Sequence, residues 1–175
     1  MTPVLTVKLS FLESEDRLIL DLGMAATTET VLLTRRLTRR LITGVARILA
    51  RQGSLPAHVP ACHKTEMLVW EHLSARQPAR SDDADAFPVQ SGPRPPPPCP
   101  LLSRLDIQIR GEGFHLCFEN RAGGSRALIM SRGELHRLLA SLRQLARLAA
   151  WDLDGEVDWL QEADSPTLQH GSLAS

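Results

Sequence analysis

The chain has no tyrosine, and with four phenylalanines and three tryptophans its aromatic content is 4% of 175 residues. So few rings work against a surface that holds single-stranded nucleic acid by stacking its bases. Lysine is nearly missing as well, since only Lys8 and Lys64 stand among the 20 basic residues. That arginine excess follows more readily from a GC-rich genome than from a demand for bidentate anion contacts. Net charge is absent, because 20 acidic residues balance the 20 basic ones. Whole-molecule attraction to nucleic acid or anionic membrane is thereby removed, and only local patches can act. The three cysteines, Cys62, Cys99 and Cys117, are odd in number and unrelated in spacing, which suggests neither a disulfide framework nor a zinc knuckle and points to a reducing compartment. No run approaches the roughly 18 apolar residues of a membrane span. The start, with Glu13, Glu15 and Asp16 behind alternating residues, lacks the basic and then apolar form of a signal peptide. The expectation is a cytoplasmic protein with no membrane partner.

What is present is periodicity. Val7, Leu9 and Phe11 alternate with polar residues, as do Leu18, Leu20 and Leu22 after the polar run Glu13 to Asp16, which predicts a hairpin. Setting Phe11 opposite Leu18 pairs Leu9 with Leu20 and Val7 with Leu22 on one face, and Lys8 with Asp21 on the other. Val31 to Leu33 predicts a third strand, and Thr34 opens a helix to about Arg51. Its stripe is Leu37, Leu41, Ile42, Val45, Ile48 and Leu49, and its other faces carry Arg35, Arg36, Arg39, Arg40, Arg47 and Arg51. A second helix from about His63 to Arg76 places Met67, Trp70 and Leu73 on a common face expected to pack. It is assigned to the seam between two halves of the molecule.

Residues 77–100 hold eight of the chain's 12 prolines, favour polyproline II geometry and exclude a helix or a central strand. They read as a semi-rigid linker. Beyond them Leu105, Ile107 and Ile109, a turn at Gly111-Glu112, and Phe114, Leu116 and Phe118 form a second hairpin. Its register pairs Ile109 with Phe114, Ile107 with Leu116, Leu105 with Phe118 and Arg104 with Glu119. Arg126 to Met130 is a third strand, and Ser131 with Glu134 makes a capping box for a helix with the stripe Leu135, Leu138, Leu139, Leu142 and Leu145. A shift of 97 residues lays Leu33-Thr34-Arg35 on Met130-Ser131-Arg132 and Arg40-Leu41-Ile42 on Arg137-Leu138-Leu139, the mark of a duplicated unit.

The fold expected is therefore α+β, two layers, with two antiparallel three-strand units each followed by a packed amphipathic helix and related by a pseudo-twofold. The boundaries are 1–76 for the first unit with its extra helix, 77–100 for the linker, 101–163 for the second unit with an acidic segment, and 164–175 for a disordered tail. In that acidic segment Trp151 and Trp159 stand among Asp152, Asp154, Glu156, Asp158, Glu162 and Asp164. They dock on the protein's own core in one reading and on a basic partner in the other.

No loop for cradling phosphate, no GxSxG elbow and no P-loop lysine occurs. His63 and His72 lie nine residues apart on one helix and so on opposite sides, which argues against a shared metal, and no cofactor is indicated. The one compact pair is His115 and Cys117, two apart on a strand and opposite Gln108 and Asp106. An imidazole there could activate the thiol, but a third orienting group is missing. The ranking that follows is a non-enzymatic interaction, assembly or regulatory protein with a protein partner or self-association, binding through Arg35, Arg36, Arg39, Arg40, Arg47, Trp151 and Trp159. Single-stranded nucleic-acid binding comes second, and an enzyme using Cys117 and His115 a distant third.

Overall fold

The alternating first segment folds as β1 (Thr2–Val4), β2 (Thr6–Leu12), β3 (Arg17–Gly23) and β4 (Thr28–Leu33), followed by α1 (Arg35–Arg51) and α2 (Ala61–Arg76). After β5 (Val89–Ser91) come β6 (Leu102–Arg110), β7 (Gly113–Asn120), β8 (Ser125–Met130), α3 (Arg132–Leu148) and α4 (Asp158–Asp164). This computed structural model describes residues 2–4, 6–52, 59–76, 89–91, 99–111, 113–153 and 157–164. Two four-stranded sheets result, ordered β4-β3-β2-β5 and β1-β8-β7-β6, giving the α+β class with a strand-strand-strand-helix order in each half.

Both hairpins adopt the register that cross-strand pairing requires. Phe11 faces Leu18, Leu9 faces Leu20, Val7 faces Leu22 and Lys8 faces Asp21. In the second, Ile109 faces Phe114, Ile107 faces Leu116, Leu105 faces Phe118 and Arg104 faces Glu119. Any one-residue slip would turn these apolar sets to the solvent side, so burial fixes the pairing. The helix starts also follow local chemistry. Thr34 Oγ1 accepts from the Leu37 amide at the head of α1, and at α3 Ser131 and Glu134 complete a reciprocal capping box.

The two sheets are tied by a reciprocal exchange. The chain leading into β2 runs as β1 in parallel along β8, with Val4 beside Leu128. The chain leading into β6 touches β4 in the same sense, through a parallel bridge of Leu32 with Leu101 and a hydrogen bond from the Leu32 amide to the Pro100 carbonyl at 3.0 Å. One apolar cluster then includes both sheets and the stripes of α1 and α3, among them Leu9, Leu20, Val45, Leu116, Leu139 and Leu142. A smaller cluster on the other face of the first sheet, Leu12, Ile19 and Leu32, is covered by Cys99 and Leu101.

Two expectations need correction. α2 does not bury Met67 and Trp70, which are 38% and 63% exposed; its buried residues are Leu68, Val69 and His72, with Leu73 partly covered. α2 packs mainly on α3 and α4 and to a lesser extent on α1, so the side offered to those helices decides its inner face. The span read as a linker is also not uniformly free of strand, since Val89–Ser91 pairs in parallel with Leu9–Phe11 at the sheet edge. Of the rest of that span, residues 77–88 and 92–98 lie outside the described residues, as do 165–175 of the tail.

Candidate functional site

Among the described residues, β6 ends its sheet and pairs with β7 on one side only along residues 104–110. In a two-residue hairpin the pair flanking the turn exchanges both hydrogen bonds, and such pairs recur every second residue. Counting back from Arg110 opposite Gly113, the main-chain groups of Leu105, Ile107 and Ile109 point away from β7. A register irregularity between Leu102 and Arg104 bends the start of the strand, as a bulge does.

Across from that edge runs α1. Between them lies a groove in two connected parts of about 400 Å³ and 360 Å³, which share Leu37, Arg40 and Ser103 in their walls. The larger part is floored by Leu37, Leu41, Ile48, Leu105 and Ile107 and carries Arg104 with Asp106, an ion pair of 2.7 Å within the strand. The smaller part is cationic, with Arg36, Arg40 and Arg121 on its walls beside Leu101 and Leu102. All three arginines are exposed, and none has an ion-pair partner among the described residues. Among the described residues no aromatic side chain lines either part.

The other residues singled out from sequence fall elsewhere. Arg35, Arg39 and Arg47 are exposed on α1, with Arg35 Nη2 donating to the Asp152 carbonyl at 3.5 Å. Trp151 and Trp159 are 5% exposed and belong to the core. The Trp151 indole donates to Asp16 Oδ1 at 2.5 Å and stands edge-on to Phe11, and the Trp159 indole donates to the Ala46 carbonyl at 3.3 Å. Their burial takes both rings off the surface. His115 and Cys117 are half-buried on β7, His115 between Gln108 and Ile129 and Cys117 between Asp106 and Ala127. His63 is exposed beside Glu66.

Sequence reasoning missed one buried cluster. His72 of α2 and His136 of α3 are each 1% exposed, with their Nδ1 atoms 3.3 Å apart, so that one ring donates to the other. Trp159 stands edge-on to both. Glu71 Oε2 accepts from Arg132 Nε at 2.9 Å and Nη2 at 2.6 Å, and Arg132 also donates to the carbonyls of Gln52 and Leu49. Burial, the His136 ring and the Arg76 and Arg143 guanidiniums hold the His72 pKa down to about 3. Burial and Arg132 lower that of His136 to about 4 against the opposing pull of Glu71. Both rings are neutral at pH 7. The partners come from helices 64 residues apart in the chain, so no local spacing could have paired them.

Fold and groove together define an α+β protein with a sheet edge that is rimmed by arginines and open among the described residues. Comparison with protein-family models, with curated proteins and with solved structures finds no match to the chain.

Proposed function

We propose that this is a non-enzymatic interaction or assembly protein that binds another polypeptide. The supporting observation is the groove, where a strand edge and three arginines, all without partners among the described residues, lie beside an apolar floor. Such an edge offers main-chain donors and acceptors that a partner strand can satisfy. A second reading, single-stranded nucleic-acid binding, draws on the exposed arginines of α1, among them Arg36, Arg39, Arg40 and Arg47. It is the weaker one, because bases entering this groove would meet no ring to stack on among the described residues.

The test is capture from the native cell extract by the full chain, with nuclease-treated and untreated halves, beside an Arg36→Glu/Arg40→Glu variant. The expected result is a defined protein that survives nuclease and is lost with the variant. Captured material that disappears on nuclease treatment would put the nucleic-acid reading first.

A further inference from the structure

We infer that the groove between α1 and β6 receives an extended, acidic segment of a partner polypeptide, added as a strand to the outer edge of β6. The inference rests on the polypeptide-binding reading above and specifies its ligand. Three features of the groove define the occupant.

The first is the edge itself. Leu105, Ile107 and Ile109 direct their main-chain groups away from β7, so an incoming extended chain finds donors and acceptors at every second residue. The wall from Ser103 to Ile107 spans about 17 Å at about 3.4 Å per residue, room for roughly five residues of added strand. The second is the floor. A strand laid there turns alternate side chains toward Leu37, Leu41 and Ile48, which selects small or branched apolar residues at every other position. The third is the charge. The end beside Leu101 and Leu102 is walled by Arg36, Arg40 and Arg121, a concentration of guanidiniums that favours carboxylates at that end of the ligand and repels lysine or arginine.

The test uses the intact protein and two fluorescein-labelled peptides, one with three acidic residues followed by alternating valine and serine, the other its reversed sequence, since either strand direction satisfies the edge. Saturable binding of at least one is expected. Exchanging the acidic residues for lysine should weaken it more than about tenfold, and Arg36→Glu/Arg40→Glu should do the same while the melting temperature of the protein stays put, because both residues are exposed. Methylating alternate peptide nitrogens should abolish binding in one of the two phases and leave it in the other. Amide exchange at Leu105, Ile107 and Ile109 should slow on saturation. Equal binding of the lysine peptide, or indifference to methylation in both phases, overturns the inference while leaving polypeptide binding intact. A concentration-dependent dimer that protects the same amides overturns it too, making the edge a self-interface. Failure of every peptide, with arginine-dependent binding of an oligothymidylate instead, removes both the inference and the reading beneath it.

Discussion

Acidification should unfold this protein through the histidine pair. His72 and His136 are neutral and buried, with pKa values near 3 and 4, whereas in the unfolded chain both titrate near 6.5. Below about pH 6.5 the unfolded state therefore takes up two protons that the folded state refuses, and stability falls as pH drops. The fall continues until the folded rings protonate, and above about pH 7 the pair adds no pH dependence. From pH 7 to pH 5 each histidine removes about 2 kcal/mol and the pair about 4 kcal/mol, a large share of the roughly 5–15 kcal/mol that holds a domain together. For a chain of this size that is about 10 °C in melting temperature. Geometry gives the same direction independently. With the two Nδ1 atoms 3.3 Å apart, protonating both rings would aim two N–H groups at each other beside Arg132. The assay is thermal unfolding at steps between pH 7 and pH 5 for the wild type and for His72→Gln/His136→Gln. The variant starts lower at pH 7 and should show a flatter profile. Parallel profiles, or imidazole NMR signals of His72 and His136 that titrate near 6.5 in the folded protein, would refute the reasoning.

Ala150 sits at φ 51° just beyond α3, in a Schellman closure where the Trp151 amide donates to the Ala146 carbonyl and the Ala150 amide to that of Arg147. Ala150→Gly should therefore raise stability by about 0.5–1 kcal/mol, read by denaturant titration, and a loss would mean that the left-handed turn is not strained. Asn120 bridges the halves, donating to Glu29 Oε1 at 2.7 Å and accepting from the Gly124 amide at 2.9 Å. Asn120→Ala should cost about 1–3 kcal/mol by the same measurement, with Arg126 left to hold Glu29 alone. Cys117→Ser, on a half-buried strand position between Asp106 and Ala127, should leave peptide binding unchanged within twofold; lost binding by a folded variant would give the thiol a role in the site.

Much of the fold was legible because its signals are local. Alternation puts Val7, Leu9 and Phe11 on one face with Leu18, Leu20 and Leu22, and Leu105, Ile107 and Ile109 on one face with Phe114, Leu116 and Phe118, and the turns then select the register that both hairpins adopt. Ser131 and Glu134 mark the α3 start for the same reason, since a capping box is complete within four residues. α2 was misread because its sequence offers two candidate stripes, Met67 with Trp70 and Leu68 with Val69 and His72. Periodicity cannot rank two stripes of similar hydrophobicity, and the choice falls to whatever α3 and α4 present.

The site divides along the same line. Sequence alone determined that α1 is basic and that β6 is a strand with an apolar and a polar face. Only the tertiary structure placed β6 at the end of its sheet, laid α1 along its open side and added Arg121 from the β7–β8 turn to Arg36 and Arg40. It also decided that Trp151 and Trp159 are core residues, and that His72 meets His136. Each of these depends on contacts between segments far apart in the chain, and local sequence encodes which face a segment buries without encoding which partner it meets.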